Sequence, residues 1–167
     1  MSHRDRTYVI FDGDDDIWAY GYMRGWKANE RIDFDFVDAH DLGPLTVRAT
    51  DEEYIKSRLR ERLEHSTQVV VLVGENTKNL YRFVRWEIEV ALSLGLPIIV
   101  VNLNDRRNMD LDRCPPLLRN EDAVHVSFNL AIIRHALDNF PAERRTHRSG
   151  ERGPRYYIDD VYSRLGL

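Results

Sequence analysis

A three-layer α/β fold, with a parallel sheet covered by helices on both faces, is predicted by three observations. Short runs rich in β-branched residues alternate with segments of helical period. The runs at 68–73 (QVVVLV) and 97–102 (PIIVVN) are apolar at nearly every position, as strands buried on both faces are. A turn or loop and then a helical segment separate each run from the next, which is the connection that parallel strands require.

The elements follow in order. Residues 7–11 (TYVIF) predict the first strand, and the turn DGDDD at 12–16 leads into a helix over 17–28. Asp16 is placed to cap that helix, with the preceding acids near its positive end. A cation held by this turn is the sharper idea, but the spacing is not that of an EF-hand loop, and capping is preferred. Residues 34–37 (FDFV) alternate as a second strand ending at Asp38, and 39–50, with Gly43 and Pro44, read as a long binding or lid loop. A helix over 51–65 follows, capped by Thr50 and striped by Tyr54, Ile55, Leu59 and Leu63.

The third strand, 68–73, leads through GENT into a helix running from about Arg82 to Leu94. Phe83, Trp86, Val90 and Leu94 form one apolar row and Val84, Ile88 and Leu92 another, with Glu87 outside both. Gly95 stops this helix and 97–102 form the fourth strand. After a loop with paired prolines, 123–127 (AVHVS) predict the fifth strand, and a helix over 129–140 ends at Pro141. The chain therefore divides into an α/β domain at 1–140 and a charged tail at 141–167, whose final segment reads as a short docking helix.

Five strands of this kind suggest the flavodoxin-like order 2-1-3-4-5. Its ligand crevice opens between the carboxyl ends of strands one and three. The turns at 12–16 and 74–81 then face each other, with Glu87 behind the second. An acidic turn repels phosphate, which argues against a flavin nucleotide, and the phospho-acceptor aspartate of a receiver domain is absent because strand three ends at Val73, Gly74 and Glu75.

Charge and composition bound the partners. The net charge is −4, and the tail carries six arginines against four acids, so the body of the chain is more acidic than the whole. Nucleic acid is not an expected partner. No apolar run approaches the roughly 18 residues of a membrane span, no apolar leader opens the sequence, and the single cysteine, Cys114, has no internal disulfide partner. A cytoplasmic protein with no metal centre is expected. Cys114 has no nearby base in sequence and reads as structural.

The segments YVIFDGDDD, QVVVLVGENT and FVRWEIEVALSLGLPIIVVNLN resemble the TIR-like proteins of the Thoeris antiphage system, the ThsB family, over about residues 7–140. In TIR enzymes a Trp-Cys-x-x-Glu pattern carries the catalytic glutamate. Phe83, Val84, Arg85, Trp86 and Glu87 align with it, so Phe83 and Val84 depart from the pattern and Glu87 keeps it. The resemblance implies NAD as substrate rather than cofactor, cleavage of its nicotinamide–ribose bond, and an ADP-ribose-derived signal, linear or cyclic, for a separate effector. It implies Glu87 as the catalytic residue, with Phe11, Asp12, Asp38, Asn76, Phe83 and Trp86 as substrate contacts. Two other functions stay open: a non-catalytic module that self-associates as a homo-oligomer, and an N-glycosidase acting on nucleosides or nucleotides.

Overall fold

The computed structural model describes residues 6–38, 52–80, 82–148 and 150–167, with the side chains of residues 37 and 38 outside that description. Six parallel strands form one sheet in the order β2-β1-β3-β4-β5-β6. They are β1 (Arg6–Ile10), β2 (Val37–Asp38), β3 (Gln68–Val73), β4 (Ile98–Asn102), β5 (Ala123–Ser127) and β6 (Arg155–Tyr156). The expected 2-1-3-4-5 order is therefore present, with a short sixth strand added beside β5.

Alternation along the strands divides the core into two layers. Val9, Val70, Leu72, Ile99, Val101, Val124 and Val126 point to the face covered by α1 (Ile17–Ala28) and α4 (Leu130–Arg145). Tyr8, Ile10, Val69, Val71, Val73, Ile98 and Val100 point to the face covered by α2 (Glu52–Glu64) and α3 (Phe83–Ser93). Every residue of β3, β4 and β5 is buried, which is why those strands read as unbroken apolar runs.

Local chemistry sets the helix ends. Asn129 Oδ1 accepts the Ala131 N–H at 2.8 Å to cap α4. At the end of α3, Gly95 takes φ 66°, the Leu96 N–H donates to the Ala91 carbonyl at 3.2 Å, and the Gly95 N–H donates to the Leu92 carbonyl at 3.0 Å. This paired closure needs a left-handed residue, and glycine adopts that conformation without strain.

Three boundaries differ from expectation. The second strand pairs only at Val37 and Asp38, because Phe34 and Phe36 bury their rings in the α1 layer without joining the ladder. Pro141 does not end α4, which continues to Arg145, so the boundary expected there falls inside a helix. The residues after it belong to the sheet and core: α4 is the crossover that delivers β6 parallel to β5, and α5 (Asp159–Arg164) buries Tyr162 completely among the α1 and α4 side chains. Arg155 Nε donates to Asp122 at 3.1 Å and His147 Nδ1 lies 2.7 Å from the same carboxylate, fastening the segment at its start. The proposed Thr50 cap and the 39–50 loop lie outside the described residues.

Candidate active site at the β1–β3 crevice

The two turns that the strand order brings together are bonded to each other. Asn76 Nδ2 donates to Asp15 Oδ2 at 2.7 Å, and Thr77 Oγ1 donates to Asp16 Oδ2 at 3.3 Å. Thr77 Oγ1 also accepts the Gly74 N–H at 2.8 Å. An added Cβ at Gly74, just after β3, would overlap the Asp16 carboxylate, so the close approach of the two turns favours glycine while Asp16 holds its place. Asp16 holds the cap position of α1 by its backbone, but its side chain makes no capping bond and turns across the crevice to Thr77. The expected side-chain cap is thus a clasp between turns.

Asp12 folds its own turn: its Oδ1 accepts the N–H of Asp14 at 2.9 Å and of Asp15 at 3.4 Å. Asp12 and Asp16 are both buried. Burial first, and then the neighbouring Asp12 charge, raise the Asp16 carboxyl above the ordinary aspartate range, while the Thr77 hydroxyl opposes that rise. No three His, Cys, Asp or Glu side chains among the described residues converge as metal ligands. The acidic turn instead spends its oxygens on backbone N–H groups and on the opposing turn.

Glu87 lies inside the protein. It is 5% exposed, on the same face of α3 as Val84, Ile88 and Ala91, so the expected position outside both apolar rows is corrected. The Tyr8 hydroxyl, from β1, hydrogen-bonds its carboxyl, and the Arg62 guanidinium, from α2, acts on it electrostatically. Arg62 also hydrogen-bonds Tyr8. Burial pushes the Glu87 carboxyl up to about 8, against the lowering effects of Tyr8 and then Arg62. Burial likewise raises the Tyr8 phenol, reinforced by the adjacent Glu87 charge, so Tyr8 stays a protonated donor.

The other expected contacts are spread around this centre. Trp86 is partly buried against the α3 layer, and Phe83, 43% exposed, meets it edge to face with ring centroids 5.7 Å apart. Phe83 is therefore at the outer margin of α3 and not on its buried row. Phe11 stacks on Tyr20 at 4.6 Å in the α1 layer, across the sheet from Glu87. Asp12 and Asn76 sit at the joined turns. Asp38 closes β2 opposite Thr7 by its backbone. Tyr8 and Arg62 were not singled out by sequence reasoning: one reads as an ordinary strand residue and the other as a helix-surface cation.

A cavity of about 200 Å³ opens beside α3, lined by Leu80, Val84, Ile88, Pro115 and Leu117 together with Lys78 and Arg85. Glu87 does not line it. Arg85 donates to Glu89 at 2.8 Å, the surface ion-pair arrangement expected for a helix flank. Cys114 is fully buried and its thiol is pushed up to about 11 by burial, which leaves it unreactive near neutrality.

A parallel 2-1-3-4-5 sheet with a buried carboxylate on the helix after the third strand defines a TIR-like α/β domain. Residues 8–108 match the family described as Thoeris protein ThsB, TIR-like domain, and the chain belongs to that family. The match places it among the TIR-type proteins of antiphage defence and runs from within β1 through β4, including Glu87 and both joined turns. Among the described residues no helix is long and apolar enough to cross a membrane.

Proposed function

We propose that this protein cleaves NAD between ribose C1′ and the nicotinamide nitrogen, and that the product is an ADP-ribose-derived nucleotide, linear or cyclic, read by a separate effector. The observation that carries this reading is the buried Glu87 carboxyl on α3, held by Tyr8 and raised to about 8. An ionisable group so desolvated, on the helix that follows the third strand, is the signature of a tuned site. Nicotinamide is already cationic and departs neutral, taking the bonding pair with it, so no general acid is needed. Positive charge then develops on an oxocarbenium-like ribose.

Glu87 supplies the opposite charge. Before substrate binds it is largely protonated at neutral pH. A bound pyridinium and the ribose cation that follows favour its ionised form, in a water-poor setting where that attraction is strong. Water adding at C1′ and losing its proton gives ADP-ribose, whereas a nucleophile within the same nucleotide gives a cyclic product. Trp86 and Phe83 would wall the nicotinamide end, Asp12 and Asn76 would bond ribose or adenosine hydroxyls, and Phe11 would shape the rim from beneath; the Asp38 side chain lies outside the described residues. No cofactor beyond the NAD substrate enters this scheme, and it places the protein in the cytoplasm with its substrate.

The test is mass spectrometry of small molecules from cells expressing the wild-type chain or Glu87→Gln, with and without phage challenge. A new ADP-ribose-type species with wild type only is the expected result. Undiminished NAD turnover in Glu87→Gln overturns the assignment. One observation favours a second reading, a self-associating module: Ile17, Trp18 and Tyr22 expose apolar surface along α1. A scaffold of that kind keeps its assembly, and makes no nucleotide, with or without the Glu87 charge.

A further inference from the structure

The polar groups around Glu87 form a chain across three elements. Arg62 on α2 hydrogen-bonds the Tyr8 hydroxyl on β1, and that hydroxyl hydrogen-bonds the Glu87 carboxyl on α3. The order has a direction. A guanidinium has only N–H groups and can only donate, so the Tyr8 oxygen accepts from Arg62 and its O–H is left to donate to Glu87. A donor polarised by a cation bonds a carboxylate better than a neutral acid, and such chains strengthen when buried. Tyr8 is 1% exposed, fixed in the strand next to β3, so its hydroxyl is an immobile reference point for the carboxylate. Arg62 is its far end, carried by a helix that packs directly on α3.

We propose that Tyr8 and Arg62 are positioning residues for Glu87: Arg62 orients and polarises the Tyr8 hydroxyl, and Tyr8 holds the Glu87 carboxylate in its reactive orientation and charge state. This rests on the reading of Glu87 as the catalytic carboxylate. It goes further in assigning the orientation and charge state of that residue to a β1 hydroxyl and an α2 guanidinium that stand behind it.

The groups facing Glu87 are Tyr8 from β1 and Arg62 from α2, and both act to favour its ionised form. Tyr8→Phe and Arg62→Met should each raise the pH at which Glu87 ionises by about one unit. The turnover of NAD at pH 7 should then fall about tenfold, with the plateau reached at higher pH. Arg62→Lys, which keeps a donor cation, should restore most of the wild-type profile.

The experiment is an infrared pH titration of the protonated Glu87 carboxyl band, assigned by its loss in Glu87→Gln, alongside the pH profile of NAD cleavage for each variant. An upward shift of the band midpoint in Tyr8→Phe, with partial recovery of Arg62→Met by Arg62→Lys, supports the assignment. An unmoved midpoint in Tyr8→Phe overturns it. The infrared reading needs no turnover: loss of activity in Glu87→Gln with unmoved midpoints refutes the positioning role alone, while retained activity in Glu87→Gln refutes the catalytic reading itself. Tyr8→Phe removes one oxygen from a packed ring, so it decides the question even if Arg62→Met does not fold.

Discussion

Glu87→Gln should make the protein more stable, and by an amount that grows with pH. In the folded chain the carboxyl titrates near 8, against an ordinary value of 4.5. Between those values the native state binds a proton that the unfolded state has lost. Unfolding therefore releases a proton, and stability falls by about 1.4 kcal/mol for each pH unit across the window. From pH 4.5 to 7 the wild type should lose roughly 3 kcal/mol that the glutamine variant keeps. For a domain of this size that is on the order of 10 °C in melting temperature. The extra amide N–H groups of glutamine offset part of the gain if they stay unbonded, by about 1–3 kcal/mol. That cost does not depend on pH, so the informative quantity is the slope of the gap. The assay is thermal or urea unfolding of both proteins at half-unit steps from pH 5 to 8.5. All other titrating groups, including His125, are common to the two proteins and cancel in the difference. A gap that is constant across that range would falsify the buried-carboxyl argument.

Other outcomes follow from the same structure. The second-order rate constant for NAD cleavage should rise with pH and level off above about 8, as Glu87 becomes ionised in the free enzyme; a flat profile from pH 6 to 9 removes its carboxylate from the mechanism. His125 is fully buried in β5 with neither ring nitrogen bonded among the described residues, and burial lowers it to about 4. Because the unfolded state takes up a proton below 6.5 and the native state resists, stability should drop by about 3 kcal/mol between pH 6.5 and 4, and His125→Leu should abolish that drop in acid unfolding curves. Gly74→Ala should cost about 1–3 kcal/mol through overlap with the Asp16 carboxylate, and adding Asp16→Ala should recover most of it in a double-mutant cycle.

The parts of the fold legible in the sequence are those where one kind of residue fills one kind of place. QVVVLV and AVHVS coincide with β3 and β5 because strands buried on both faces need apolar side chains in either direction. The chain reversal at Gly95 was visible because few other residues end a helix in that way. Glu87 illustrates the limit. Periodicity counts a charged residue as outward and Phe83 as inward, yet tertiary contacts reverse both: a tyrosine hydroxyl donates to the buried carboxylate and an arginine attracts it electrostatically, while Phe83 is left at the margin. Nothing near Glu87 in sequence names Tyr8 or Arg62, since that meeting is created by β1 pairing with β3 and α2 packing on α3. Pro141 misled for a local reason. A proline inside a helix removes one hydrogen bond, and α4 tolerates that loss because Phe140 and Leu137 anchor the same turn in the core.

The remaining structural alternative for Glu87 is a buried polar network kept for stability, and the two readings predict opposite signs. A network maintained for stability is weakened when one charged member is neutralised, since its partners are left uncompensated. Here burial outweighs the two lowering partners, so the carboxyl rises in spite of them and the ionised state is the costly one. A leucine or methionine on that face of α3 would extend the row of Val84, Ile88 and Ala91 at no such cost. Retaining a carboxylate that destabilises its own fold at neutral pH is intelligible where the charge is needed only when a cation arrives. The same substitution therefore separates the readings: Glu87→Gln that stabilises the protein and ends nucleotide production marks a functional carboxylate. The same variant destabilised at every pH, with production unchanged, marks a structural one.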